Sequence, residues 1–158
     1  MAYSHGTPNS IVTDELVFYI DAANTRSYPG SGNDCFNLKN TTITGSLKND
    51  TSFASSNAGV WNFDGADDYI DLGSPTQVQP VKEMSISAWI NPSVLATYRG
   101  IVSAMYNGSS YDGFALRLDD TSSNKIQFVV NSSTQIKSTS TITTGQWYHL
   151  VGTYDGAN

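Results

Sequence analysis

The chain has 158 residues, a formal net charge of −6 and a hydrophobic content of 39%, with nine Tyr, six Phe and three Trp. That is about one domain's worth of chain, with aromatic mass enough for a thin core, which excludes an intrinsically disordered polymer. Its eight Lys and Arg are scattered along the sequence, so neither nucleic-acid binding through phosphate neutralisation nor docking on an anionic membrane has a basic patch to draw on.

Residues 1–13 read as a polar N-terminal arm with Gly6 and Pro8, settled by a neighbour. Leu16, Phe18 and Ile20 alternate with Val17, Tyr19 and Asp21, a period of two that predicts a strand. Residues 22–58 are rich in Asn, Ser, Thr and Gly; they read as a long connection with a turn at Tyr28-Pro29-Gly30 and short strands around 43–48. Val60 to Phe63 reads as a strand, Gly65 to Asp67 as a turn, and Tyr69 to Leu72 as the returning strand.

The clearest strand follows. Met84, Ile86, Ala88 and Ile90 point one way, Ser85, Ser87 and Trp89 the other, and Asn91-Pro92 closes it because proline has no ladder donor. Further strands are predicted near 99–106, 113–119, 125–131, 135–138 and 148–154, with a hairpin turn at residues 119–124 and another turn at Thr144-Gly145. No segment carries an apolar stripe at helical spacing, so helices should be short or absent. Many short strands separated by turns predict an all-β, antiparallel β-sandwich.

Cys35 is the one cysteine, so no intrachain disulfide can form; it reads as an inert thiol in a loop near Phe36. No stretch approaches the roughly 20 apolar residues of a membrane span, and the first residues lack a signal-peptide apolar run. Assembly in a reducing cell is the expectation. The turn Asp155-Gly156-Ala157-Asn158 follows a strand without a returning partner, so the expectation is either that further strands belong after it or that another chain supplies the missing partner.

Three motifs carry a resemblance. Asn62-Phe63-Asp64-Gly65-Ala66-Asp67-Asp68-Tyr69-Ile70, Met84-Ser85-Ile86-Ser87-Ala88-Trp89-Ile90, and Gly145-Gln146-Trp147-Tyr148-His149-Leu150-Val151-Gly152-Thr153-Tyr154-Asp155-Gly156 resemble, in family order, segments of laminin-G-like domains of the concanavalin A-like superfamily. The resemblance implies a jelly-roll sandwich over residues 14–158, incomplete at its C-terminus, with open edges beside residues 16–21 and 147–154. The opening Leu16-Val17-Phe18-Tyr19-Ile20-Asp21-Ala22-Ala23-Asn24, followed by Ser27-Tyr28-Pro29-Gly30-Ser31-Gly32, is similar to the start of such domains in tailed-phage virion proteins. It implies a non-enzymatic virion structural protein in tail, fibre or head decoration, located in a virion assembled in the host cytoplasm. Its partners would be identical subunits, other virion proteins or host-surface glycan, with no nucleic acid and no membrane insertion. The alternative is a carbohydrate-binding module or a bacterial surface adhesion domain, extracellular or on the cell surface.

Candidate sites follow from chemistry. Trp89, Trp147 and Tyr111 are candidates for stacking on a glycan or partner; a Trp on the second face of a strand either stacks on a sugar ring or packs beneath a loop, and Trp61 has the same two readings. His149 shares a strand face with Trp147 and Val151 and lacks a second His or Cys at metal-ligand spacing, so its expected role is structural. Asp64, Asp67, Asp68 and Asp71 are the candidate metal ligands, for calcium, although Asp-rich turns also form for their own backbone hydrogen bonds. No cofactor is otherwise expected. No catalytic residue is assigned: the two glutamates, Glu15 and Glu83, stand 68 positions apart, and neither belongs to the Glu-x-Asp-x-x-Glu strand of related glucanases.

Overall fold

A computed structural model describes residues 11–78, 83–105, 113–121, 123–131 and 134–157. It contains eleven strands among these residues: β1 Asp34–Phe36, β2 Thr44–Lys48, β3 Ser52–Ala54, β4 Val60–Asn62, β5 Tyr69–Asp71, β6 Met84–Ile90, β7 Gly100–Met105, β8 Gly113–Leu118, β9 Lys125–Val130, β10 Thr134–Thr141 and β11 Tyr148–Tyr154. Every strand pairing is antiparallel, and the helical elements are two 3-10 turns, Ser56–Ala58 and Thr76–Val78. The chain is therefore all-β, as its periodicity predicts. It divides into two compact units, Met1–Gln77 and Val78–Asn158.

The second unit is a two-layer sandwich. One layer has the order β10-β9-β8-β7 and the other pairs β11 with β6. Phe114, Leu116 and Leu118 of β8 and Ile126, Phe128 and Val130 of β9 form its buried core, and Met84, Ile86, Ala88 and Ile90 of β6 with Leu150 and Tyr154 of β11 pack onto them. Alternation is the cause: residues two apart share a face, so one row of apolar side chains from each layer meets the other. The layers approach closely where β11 carries Gly152, at which an added Cβ would sit 2.8 Å from Phe128 Cγ.

The first unit has the sheet β1-β2-β5 and the separate hairpin β3-β4. Its core is smaller: Tyr28, Cys35 and Leu47, with Ile20, Phe53, Trp61 and Ile70 packed against them. Trp61 is a packing residue, edge-on to Tyr28 with ring centroids 5.8 Å apart. Cys35 lies in β1 rather than a loop, fully buried, and burial pushes its thiol pKa up, which keeps it protonated and inert.

Two expectations need correction here. Residues 16–21 form no strand: polar side chains take several of the backbone groups that a ladder would use, and the Tyr19 carbonyl accepts from Leu38 N–H at 2.8 Å. Tyr19 N–H donates to Asn37 Oδ1 at 2.9 Å, Asn37 Nδ2 donates to the Val17 carbonyl at 3.2 Å, and Asp21 N–H donates to Ser27 Oγ at 3.0 Å. The segment is thus pinned rather than paired, and it offers no open strand edge. Residues 69–72 are also not the returning arm of a hairpin with β4: β5 pairs with β2, and β4 with β3.

Candidate functional site

The outer face of the β6–β11 pair is built by register. His149 lies opposite Trp89, Val151 opposite Ser87, and Thr153 opposite Ser85, so these six side chains share the face turned away from the apolar core. Trp89 is 66% exposed and Val151 58%. The Trp89 indole and the His149 imidazole stack with centroids 4.8 Å apart and planes 17° from parallel. Trp147, one residue before β11, is 43% exposed and follows the same alternation as His149. No Asp, Glu, Lys or Arg belongs to this set.

An exposed indole braced on one side by an imidazole is a rigid apolar platform with its other side toward solvent. Of the two readings of Trp89, burial beneath a loop is inconsistent with its exposure. The contact that His149 makes on this face is its stack against Trp89. Alternation placed both residues outward, but the sequence carried no signal for the register that brings the rings together. Tyr111 lies outside the described residues.

The acidic candidates occupy the turn between β4 and β5. Carboxylate oxygens of Asp64, Asp67 and Asp68 lie within 4.8 Å of one another, a set of hard oxygen donors of the kind that suits calcium. Asp71 is not among them; it points outward from β5, where its Oδ1 accepts from Gly73 N–H at 2.8 Å. The triad also has a local task. Asp68 Oδ1 accepts from Asp50 N–H at 3.0 Å and Oδ2 from Asp64 N–H at 2.9 Å, while Asp64 Oδ1 accepts from Ala66 N–H at 2.7 Å. Asp68 thereby ties the turn after β2 to the turn after β4. A calcium ion held here would take one oxygen from each of Asp64, Asp67 and Asp68, with the rest of its shell from carbonyls or water.

A third cluster closes the β8–β9 turn. Asp119, 1% exposed, accepts from the hydroxyls of Thr121 and Ser123, each at 2.5 Å, and lies 3.6 Å from Lys137 Nζ. These hydroxyl hydrogen bonds, followed by the Lys137 charge, hold its carboxyl well below the ordinary carboxylate range. Lys137 also pairs with Asp120.

Among known proteins, a family model described as the concanavalin A-like lectin/glucanases superfamily matches residues 64–158, and hence all of β5 to β11. No curated protein and no solved structure matches the chain. No helix among the described residues is long and apolar enough to cross a membrane.

Proposed function

The chain belongs to the concanavalin A-like lectin/glucanase superfamily, and from that membership we propose that it is a non-catalytic carbohydrate-binding module whose β6–β11 outer face holds a neutral sugar. The observation that carries this reading is the exposed, imidazole-braced indole of Trp89. Pyranose rings present an apolar face that stacks on such a ring, and along the same face Ser87, then Ser85 opposite Thr153, add hydroxyls for hydrogen bonding. An uncharged face in a chain of net charge −6 suits a neutral ligand. Calcium at Asp64, Asp67 and Asp68 would stabilise the turn between β4 and β5.

The test is a glycan array on the full chain, with and without calcium, followed by calorimetry on the best neutral oligosaccharide. Trp89→Ala should weaken binding at least about tenfold while leaving the circular dichroism spectrum unchanged. An array without binding, or unaltered affinity in Trp89→Ala, would overturn the reading.

A second reading places this module in a phage virion, joined to identical subunits or other virion proteins. The subunit contact, though not the virion placement, draws support from the one-sided pairing of β11, which among the described strands bonds only to β6, since an exposed edge can accept a strand from a neighbour. Light scattering that finds a monomer at all concentrations would remove that support.

A further inference from the structure

We propose that Tyr98 and Arg117 form a second ligand site, on the β7–β10 sheet, for the carboxylate of an acidic sugar. The inference stands apart from the Trp89 face and shares no residue with it.

Tyr98 has φ +60°, the left-handed region that disfavours a residue with a Cβ, and its side chain is 58% exposed. The backbone around it is tied to the end of β8: Tyr98 N–H donates to the Asp119 carbonyl at 3.3 Å, and Leu118 N–H donates to the Arg99 carbonyl at 2.9 Å. An aromatic ring is thus held outward at a backbone conformation that folding alone does not favour. Beneath it lies Arg117, whose guanidinium carbon is 4.9 Å from the ring centroid.

Arg117 is aimed by a relay. Its Nε–H donates to Gln127 Oε1 at 2.9 Å, and Gln127 Nε2 donates to Gln135 Oε1 at 2.6 Å. Gln127 is fully buried, so its amide has one orientation, and it fixes the guanidinium by a single nitrogen. Among the described residues no hydrogen bond engages its two terminal amino groups, which leaves them for a bidentate partner. Among the described residues Arg117 has no carboxylate partner; both ion pairs there belong to Lys137, which engages Asp119 and Asp120. Charge is also unevenly placed. Residues 99–137 hold four of the chain's eight basic residues, Arg99, Arg117, Lys125 and Lys137, against three acidic ones, in a chain of net charge −6.

A guanidinium fork takes a carboxylate, and the ring beside it supplies an apolar surface for the pyranose that bears that carboxylate. A neutral sugar would leave the fork unanswered, and an acidic peptide would make no use of the ring. The ligand class assigned is therefore a hexuronic acid or another carboxylate-bearing sugar.

The test is an amide NMR titration of the full chain with methyl glucuronide, methyl glucoside and an Asp-Glu peptide. Methyl glucuronide should shift the Arg117 and Gln127 resonances, and methyl glucoside should not. Arg117→Gln should weaken the glucuronide about tenfold, and Arg117→Lys should weaken it too because the fork is lost. Tyr98→Asn, which suits the left-handed backbone, should weaken it while stabilising the loop. Trp89→Ala should bind glucuronide normally, which separates failure of this site from failure of the neutral-sugar face. Equal response to glucoside, undiminished binding in both Arg117→Gln and Tyr98→Asn, or matching affinity for the peptide would overturn the assignment.

Discussion

In the unit Val78–Asn158 the strands meet through facing rows of apolar side chains, whereas in the unit Met1–Gln77 side-chain amides and hydroxyls satisfy much of the backbone. Phe128 represents the first and Asn37 the second. Both are buried, Phe128 at 5% exposure and Asn37 at 0%. Phe128 stabilises by area removed from water, which any apolar group of similar volume retains in part. Asn37 stabilises by three directed contacts: its Oδ1 accepts from Tyr19 N–H and Lys39 N–H, and its Nδ2 donates to the Val17 carbonyl. An apolar replacement retains none of these.

The largest effect should come from Phe128→Ala, which empties the space beneath Gly152 and should cost about 4 kcal/mol in urea unfolding. Next comes Asn37→Leu, nearly isosteric, which strands the Tyr19 N–H and the Val17 carbonyl and should cost about 2–3 kcal/mol. Its control is Leu116→Met, an equally conservative exchange at a residue 1% exposed, which should cost less than about 1.5 kcal/mol. Equal effects of Asn37→Leu and Leu116→Met would break the contrast between the units.

The same contrast explains what the sequence made legible. The strand β6 was readable residue by residue, because Met84, Ile86, Ala88 and Ile90 must face a core, and β8, β9 and β11 followed from the same alternation. Residues 16–21 alternate just as well, yet Asn37 and Ser27 intercept their backbone groups from 6 to 20 positions away, and no local pattern encodes such a long-range capture. Tyr28, read as part of a turn, is a core residue at 4% exposure because Phe53 and Trp61 close over it. At the candidate sites, Trp89 and the Asp64–Asp67–Asp68 triad were visible from strand parity and local clustering. His149 as the brace of Trp89, and Tyr98 over Arg117, depend on cross-strand register and a left-handed backbone, which composition does not report.

A smaller effect should come from the close approach inside the first unit. A Cβ at Gly45 would lie 2.6 Å from Cys35 Sγ and 2.9 Å from Ile70 Cγ2 and Leu72 Cδ2. Gly45→Ala should cost about 1–2 kcal/mol by overpacking, and Cys35→Ala in the same chain should return part of that loss by removing the nearest atom. Absence of such rescue in a double-mutant cycle would show that the strain lies in the backbone instead.

The smallest effects should separate the units by pH. In the first unit, burial and then the hydrogen bond from Tyr19 Oη to Asp21 Oδ2, 2.9 Å long, raise the Tyr19 pKa from 10.0 to about 12. The unfolded chain ionises Tyr19 first, so this contribution is complete below pH 10 and declines as pH rises from 10 to about 12. In the second unit the sign is reversed. The Asp119 pKa is depressed by its Ser123 and Thr121 hydroxyl bonds and by Lys137, so its contribution is complete above the ordinary carboxylate range and is lost as pH falls below about 4. Amide NMR across a pH series should therefore show acid loosening first around residues 119–125 and alkaline loosening first around residues 17–21. Asp119→Asn should flatten the acid limb alone, and Tyr19→Phe the alkaline limb alone. A variant that flattened both limbs would mean that the two units share one titrating network, and the division between an apolar unit and a polar-pinned one would not survive it.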